Sequence, residues 1–269
     1  MRELAVTVPA DAVEDVLDEL LPLAPHGVFE VARGDRVELR VRAQAATLPA
    51  REAVAAAAGA WGASLREREV PDDWHERRAF DHEPLVVAGR LAVRPDWAPA
   101  PPAAPLDVVL SDDGAFGAGN HPTTRACLEL LCALPPGGAF ADLGCGSGVL
   151  AIAAALLGWR PVVALDAEER ALVATRANAR RNRVEIEVRA ADLRTHVPPQ
   201  AATMVANVPP AVHAAIAARL ERPPDALLVS GVLDEAADEV ARVYAAAGLR
   251  EARRDVSLGW ATLLFTRSR

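Results

Sequence analysis

Lysine is absent from this chain of 269 residues, so all 29 of its basic residues are arginine. The absence excludes a lysine Schiff base, a lysine general base and the phosphate-binding lysine of a P-loop. Acidic residues number 37, which gives a formal net charge of −8. Nucleic-acid binding needs clustered positive charge to displace counterions, so we expect no direct nucleic-acid contact and a basic partner more readily than an acidic one.

Cysteine is scarce, and long apolar runs free of proline are missing. Cys127, Cys132 and Cys145 are odd in number and lack CxxC spacing, which favours neither a disulfide framework nor a zinc site, and the histidines show no ligand spacing either. An acid stands near the start and no apolar signal segment follows it, so a cytoplasmic protein is expected. The uncharged run 197–218 is long enough for a membrane span, but four prolines interrupt it and we expect no membrane association.

Residues 1–70 predict a small α+β domain. Apolar alternation and helical periodicity indicate the order βαββαβ, that of a ferredoxin-like sandwich, over residues 4–8, 11–23, 28–32, 37–41, 49–58 and 64–70. Ten acids and six arginines in residues 1–65 suit a domain that docks a basic protein, although each acid alone is more readily explained by a solvated helix face. The loosely patterned, proline-rich residues 71–105 are predicted to be a linker.

Residues 106–269 predict an α/β domain in which strands and helices alternate, the pattern of a doubly wound parallel sheet. The predicted strands are 140–143, 161–166, 185–189, 202–207 and 226–230, and the predicted helices are 124–134, 149–157, 168–182, 211–220 and 235–247. The last two strands, 249–256 and 260–266, are joined by a short turn at 257–259. The sheet should therefore end in an antiparallel hairpin.

A glycine-rich loop, Asp142-Leu143-Gly144-Cys145-Gly146-Ser147-Gly148, follows the first predicted strand of this domain. Glycines let the backbone approach a ligand closely, and the helix that follows offers free N–H groups. Asp166 ends the next strand, where a carboxylate can accept hydrogen bonds from both hydroxyls of a ribose. The loop alone could be no more than a tight turn, but with Asp166 it predicts a nucleoside-bearing ligand.

The composition of the loop bears on which nucleoside is bound. A dinucleotide fingerprint requires a third glycine where this chain has Val149. Asp142 would repel a pyrophosphate and attract an ammonium group. S-adenosylmethionine carries a ribose and an ammonium but no phosphate, so it is favoured over NAD as the cofactor.

Two further segments carry a family resemblance. Residues 116–125, Phe-Gly-Ala-Gly-Asn-His-Pro-Thr-Thr-Arg, precede the glycine loop, and Val205-Ala206-Asn207 ends the fourth predicted strand of the domain. With the helix segment 178–182, they make essentially the whole chain resemble bacterial ribosomal protein L11 methyltransferases. That resemblance implies a class I, Rossmann-like methyltransferase fold with a small N-terminal recognition domain. It also implies transfer of methyl groups from S-adenosylmethionine to lysine side chains or the N-terminal amine of ribosomal protein L11. A monomer is expected.

The resemblance assigns site residues position by position. It implies that the cofactor is bound by Phe116, Thr123, Thr124, Asp142, Gly144, Cys145, Gly146, Gly148, Asp166, Asp192 and Asn207. Asp142 would lie near the ammonium, and Asp192 near the adenine edge unless it caps the following turn. Thr123 would be a polar contact, a cap of helix 124–134, or both. Asn207 would also be the catalytic residue, with its amide oxygen beside the attacking amine.

Other residues leave alternatives open. His121 could act as a base, but a histidine inside such a loop is more often a structural hydrogen-bonding group. Asn120 and Val208-Pro209-Pro210 depart from the family pattern without removing a predicted cofactor contact. A related protein lysine methyltransferase with another target, or a non-catalytic protein that binds L11, would share the cofactor residues. The predicted N-terminal domain favours L11 as the target.

Overall fold

A computed structural model describes residues 2–24, 28–33, 36–43, 49–59, 61, 64–69, 84–102, 104–111 and 121–268. The chain divides into two compact units, Met1–Arg78 and Ala79–Arg269. Among the described residues, no helix combines the length and the apolar character that a bilayer crossing requires.

The N-terminal unit is a four-stranded antiparallel sheet that carries two helices. Its elements are β1 (Arg2–Pro9), α1 (Val13–Leu20), β2 (Val28–Arg33), β3 (Arg36–Ala43), α2 (Arg51–Gly59) and β4 (Ser64–Glu69), and the strand order is β2-β3-β1-β4. Apolar side chains of β1 and β3 pack with Val16, Leu20 and Val54 of the helices. The helix predicted over 11–23 is α-helical only over Val13–Leu20, with a 3₁₀ turn at each end. Pro22 has no N–H with which to continue the α-helical ladder.

The second unit begins with a small three-stranded sheet, β5 (Leu85–Val87), β6 (Leu91–Pro95) and β7 (Leu106–Leu110). β6 lies between an antiparallel β5 and a parallel β7. The prediction of a linker over 71–105 is therefore wrong for its described part, because two of these strands lie within it. Val87, Leu91 and Val93 are buried in the main core. Residues 71–83 lie outside the described residues.

The main sheet has seven strands in the order β10-β9-β8-β11-β12-β14-β13. Its strands are β8 (Phe140–Leu143), β9 (Val162–Asp166), β10 (Glu187–Ala190), β11 (Thr203–Asn207), β12 (Ala226–Leu233), β13 (Leu249–Ser257) and β14 (Trp260–Arg267). The first five strands in this order are parallel, and β14 runs antiparallel between β12 and β13. The predicted parallel sheet with a terminal antiparallel hairpin is confirmed.

Helices cover both faces of the main sheet. They are α3 (Pro122–Ala133), α4 (Val149–Leu157), α5 (Glu169–Arg181), α6 (Pro210–Ala217) and α7 (Ala237–Ala246). Alternate strand residues enter different cores: Phe140 packs with residues of α3 and α4, whereas Ala141 packs with residues of α6 and α7. α4 is apolar all round and buried over its first seven residues, as expected of a helix held between the two sheets of this unit. Because α4 is buried in this way, its N-terminus is held directly after the glycine loop.

Candidate active site

The candidate site lies at the carboxyl edge of the main sheet. Strand pairing places the last residue of β8 opposite Leu165 of β9 and opposite Ala206 of β11. The residues that follow, Gly144, Asp166 and Asn207, therefore meet at one edge. This is where open α/β sheets bind ligands.

The glycine loop has a backbone that side chains would disrupt. Gly144, Gly146 and Gly148 have φ angles of +86°, +52° and +81°, in the left-handed region that favours glycine. A Cβ atom on Gly144 would lie 2.5 Å from Cγ1 of Val208. The backbone N–H groups of Gly144 and Cys145 donate to the carbonyl oxygen of Leu165 at 2.8 and 2.9 Å, which fixes the loop to β9.

Asp142 is fully buried at the end of β8 and is only half satisfied by the protein. Its Oδ2 accepts a hydrogen bond from the backbone N–H of Ala151 at 3.1 Å, in the first turn of α4, where Gly148 offers no side chain as a cap. Its Oδ1 has no hydrogen-bond partner among the described residues. Burial raises the pKa of Asp142 to about 7, and the charge of Asp166 adds to the rise. An ammonium group fits this position, because it would supply both the missing donor and the opposite charge.

Asp166 ties the glycine loop to the end of β9. Its Oδ2 accepts a hydrogen bond from the backbone N–H of Gly146, and its Oδ1 accepts one from that of Glu168, both at 3.0 Å. Each carboxylate oxygen has further acceptor capacity. The half-buried side chain can therefore hold the loop and accept hydrogen bonds from two ribose hydroxyls at the same time.

The thiol of Cys145 is buried and engaged by a neighbouring hydroxyl. Its Sγ accepts a hydrogen bond from Oγ1 of Thr175 at 3.2 Å, and the same hydroxyl lies 3.1 Å from the carbonyl oxygen of Gly146. Burial raises the pKa of the Cys145 thiol to about 12. The thiol is therefore neutral and is not a nucleophile at physiological pH.

Asp192 forms the turn that follows β10. Its Oδ1 accepts hydrogen bonds from the backbone N–H and from Nε of Arg194, both at 2.9 Å. The hydrogen bond and the charge of Arg194 hold the pKa of Asp192 below its usual range. The capping alternative is therefore present in the structure, and contact with an adenine edge stays a prediction.

The first turn of α3 contributes His121, Thr123 and Thr124. His121 is the N-cap of α3: its Nδ1 accepts from the backbone N–H of Thr123 at 3.4 Å and lies 2.7 Å from Oγ1 of that residue. The prediction that Thr123 caps the helix is wrong, because α3 begins at Pro122, two residues before the predicted start at Thr124, and its N-cap is His121. Burial lowers the pKa of His121, which keeps the ring a neutral acceptor suited to capping.

Asn207 faces α3 from the end of β11. Its Nδ2 donates to Oγ1 of the buried Thr124 at 3.5 Å. Within the described part of the chain, its amide oxygen accepts no hydrogen bond. Strand pairing thus brings Asp142, Gly144, Asp166 and Asn207 to one edge of the sheet, and the hydrogen bond from Asn207 adds Thr124 of α3. Phe116 and residues 117–120 lie outside the described residues.

Asn178 in α5 and Asn182 at the C-cap of that helix have structural roles that the sequence analysis does not predict. Asn178 donates from Nδ2 to the carbonyl oxygen of Ser147 at 3.0 Å, while its Oδ1 accepts from the backbone N–H of Ser111 at 2.9 Å. Oδ1 of Asn182 accepts a hydrogen bond from the backbone N–H of Val109 at 2.8 Å, and Nδ2 of Asn182 donates to the carbonyl oxygen of Val109 at 2.7 Å. Their spacing of four residues puts both amides on one helix face, which is the only sequence signal for this role.

A buried polar network supports the end of β11 from the opposite face. Nε2 of His213 donates to the carbonyl oxygen of Ser230 at 2.9 Å, and Tyr244 donates from its hydroxyl to Nδ1 at the same distance. The Ser230 carbonyl also accepts the backbone N–H of Val208 at 3.1 Å, directly after Asn207. Burial lowers the pKa of His213 to about 4, so the ring is neutral. In the described part of the chain, no three acidic, histidine or cysteine side chains are grouped as metal ligands would be.

Comparisons with known proteins agree with this geometry. The sequence profile of the family described as ribosomal protein L11 methyltransferase (PrmA) matches residues 42–268. Proteins named ribosomal protein L11 methyltransferase from Pseudomonas putida (strain GB-1) and Burkholderia multivorans are 40% identical over 194 residues and 39% identical over 189 residues. These matches cover 69% and 66% of this chain, and 66% and 60% of the relatives, so the chain spans just under two thirds of their length.

A solved structure shares the fold. The crystal structure of ribosomal protein L11 methylase from Lactobacillus delbrueckii subsp. bulgaricus superposes with a TM-score of 0.64 at 24% sequence identity. The superposition covers 70% of this chain and 100% of that one.

Proposed function

Because this chain belongs to the ribosomal protein L11 methyltransferase family, we propose that it transfers methyl groups from S-adenosylmethionine to amines of ribosomal protein L11. One observation carries the proposal. The buried Asp142 keeps one carboxylate oxygen without a partner among the described residues, at the loop where the cofactor of such an enzyme would bind. A carboxylate in this position suits an amino-acid ammonium and opposes a pyrophosphate, so S-adenosylmethionine is supported over NAD.

The proposed cofactor contacts follow from the hydrogen bonds that each residue already makes. The backbone of Gly144 to Gly148 would line the methionine portion, Asp142 would bind its ammonium and Asp166 would bind the ribose hydroxyls. When bound, S-adenosylmethionine supplies a methyl group that its sulfonium makes electrophilic. Thr123 and Thr124 would contribute polar contacts from α3.

Asn207 is proposed to orient the amine that attacks the methyl group. Its Nδ2 is engaged by Thr124, which leaves Oδ1 to accept an N–H of the incoming amine. A neutral acceptor aligns the nitrogen lone pair without holding the proton that the amine must lose. An α-amine has a pKa of about 8 and a lysine side chain one of about 10.4, so only the lysine needs a desolvating site to lose its proton. His121 is already used as the cap of α3 and is not assigned the role of a base.

Substrate recognition is proposed for residues 1–70, with residues 106–269 as the transfer domain. The acidic balance of the N-terminal residues suits a basic ribosomal protein. A ribosomal substrate also implies action in the cytoplasm. A monomer without nucleic-acid contacts is sufficient for this reaction.

A target comparison tests the proposal. The protein would be incubated with S-adenosylmethionine carrying a labelled methyl group, and with L11 or with other basic ribosomal proteins one at a time. Label on L11 alone is the expected result. Label only on another protein would support the related methyltransferase with a different target, and binding of L11 without label would support a non-catalytic homologue.

A further inference from the structure

We propose that the tip of the β13–β14 hairpin, with the groove beside it, binds the polypeptide segment that flanks the target amine. The term hairpin-tip surface is used here for Val256, Leu258, Trp260 and that groove. The inference rests on the proposed function and adds to it a docking surface for the protein substrate.

The register of the sheet puts this tip at the edge that carries the candidate site. β14 runs antiparallel to β12, and Trp260 pairs with Leu233 at the carboxyl end of β12. The backbone N–H of Asp234 donates to the carbonyl oxygen of Gly259 at 2.9 Å, which anchors the tip. The hairpin therefore projects beyond the same strand ends as Asp166 and Asn207.

The tip displays apolar side chains to solvent. Leu258 is 83% exposed, the largest value among the exposed large apolar residues of the described chain, and Val256 is 51% exposed. Leu258 also has a φ of +51°, where glycine or asparagine is ordinarily found. Neither packing within the chain nor the local backbone conformation favours leucine at position 258. Burial of this side chain against a partner would favour it.

A groove of about 250 Å³ lies between α3 and the hairpin. Its apolar lining includes Pro122, Ala126, Leu130, Val256 and Trp260. Its charged lining is Glu129, Arg253 and Asp255. The two acids form exposed ion pairs with arginines, Glu129 with Arg125 at 3.0 Å and Asp255 with Arg253 at 2.7 Å. Exposed pairs of this kind are weak, so the carboxylates can exchange their arginines for basic side chains of a substrate.

Side-chain contacts connect the groove with the candidate transfer site. The ring of Trp260 meets His121 edge-on, with ring centroids 5.2 Å apart. His121 in turn contacts Thr123, and the next residue, Thr124, contacts Asn207. When the target amine of a protein substrate lies at Asn207, the substrate residues that flank this amine must contact the surface around the site. The hairpin-tip surface offers such a substrate an apolar cleft with acids at its border, which suits a basic protein.

A contact made equally in the ground state and in the transition state affects the Michaelis constant and leaves the turnover number unchanged, and we expect this of an anchor distant from the reacting atoms. Leu258→Asn tests this, because asparagine tolerates a positive φ and should leave the fold intact. The Michaelis constant for L11 should rise about tenfold, as expected when an apolar anchor of an interface is removed. The turnover number and the affinity for S-adenosylmethionine should not change. Val173→Asn, at a side chain 56% exposed on α5, is the matched control and should change none of the three.

Crosslinking tests the hairpin-tip surface without relying on methyl-transfer activity. Photoreactive benzoylphenylalanine in place of Leu258 should crosslink to L11, whereas the same group in place of Val173 should not. A Michaelis constant within twofold of wild type for Leu258→Asn, together with no crosslink, would overturn the inference while leaving the proposed function intact. If the wild-type protein methylates no L11, a crosslink from position 258 alone would still support the surface, and its absence would reject it.

Discussion

The carboxylate of Asp166 lies 3.0 Å from the backbone nitrogen of Gly146, so the proposed ribose ligand also holds the glycine loop in place. Its second oxygen accepts the backbone N–H of Glu168 at the same distance. One side chain thus couples two strands of the sheet at the cofactor site. Its loss should affect both the ribose contact and the loop that lines the methionine portion.

Replacing Asp166 with alanine should weaken S-adenosylmethionine binding by about 1–3 kcal/mol, because charge-assisted hydrogen bonds are lost. Titration calorimetry on the folded variant measures the change. Asp225→Ala is a matched control, since Asp225 is an exposed acid paired with Arg267 at the opposite ends of the strands. Unaltered affinity in Asp166→Ala would contradict the ribose assignment.

The affinity for S-adenosylmethionine should depend on pH through Asp142. Its pKa in the free protein is about 7, and a bound ammonium favours the carboxylate, so binding releases a proton below that pH. Affinity should therefore rise as the pH increases through about 7. It should fall again above about pH 8, where an α-ammonium loses its own proton.

Asp142→Asn isolates the acidic limb of that profile. Asparagine keeps an oxygen that can accept the N–H of Ala151 but carries no charge. The variant should bind more weakly at pH 7.5 and should lose the increase in affinity between pH 6 and 7. Calorimetry in buffers of different ionisation enthalpy measures the released proton directly, and an acidic limb that persists in Asp142→Asn would assign it to another group.

Asn207→Ala should separate methyl transfer from cofactor binding. Its side chain contacts Thr124 and is proposed to orient the amine, whereas its proposed contact with the cofactor is secondary. The single-turnover rate at saturating S-adenosylmethionine should fall, while the dissociation constant for the cofactor should stay nearly constant. Equal losses in the two quantities would count against its placement beside the amine, whereas weaker cofactor binding with an unchanged saturated rate would place Asn207 in cofactor binding alone.

Gly144→Ala should destabilise the fold by about 1–3 kcal/mol, because alanine at a φ of +86° is strained and its Cβ would meet Val208. Thermal unfolding measures the loss. Gly137→Ala is the control, since a Cβ there would have no heavy atom within 4 Å. Adding Val208→Ala to Gly144→Ala should restore part of the stability in a double-mutant cycle. Additive effects in that cycle would show that the close approach to Val208 is not the cause.

The sequence predicts the centre of the transfer domain better than its borders. β8 and α4 match their predicted bounds to the residue, because glycines punctuate the turn between them. The sequence predicts a linker where β5 and β6 lie, since strands of three and five residues beside prolines carry too little periodicity. Their place against the core depends on packing with distant helices, which local pattern does not report.

The candidate site also has features that the sequence predicts and features that it does not. The sequence predicts that Asp142, Asp166 and Asn207 lie near one edge of the sheet, because Asp166 and Asn207 end parallel strands and Asp142 is the last residue but one of another. Their roles toward the cofactor and the amine stay predictions. The cap at His121 and the bridge from Asn178 to Ser111 were not found, because both depend on side-chain hydrogen bonds to backbone groups. The unpartnered oxygen of Asp142 is likewise a property of burial in three dimensions.

The intact mass of unmethylated L11, after incubation with this protein and S-adenosylmethionine, tests the central claim most directly. The account predicts gains in steps of one methylene mass, abolished without cofactor and slowed in Asn207→Ala. Fragmentation would then locate the modified amines. An unchanged mass of L11, with cofactor binding confirmed by calorimetry, would contradict the proposed methyl transfer.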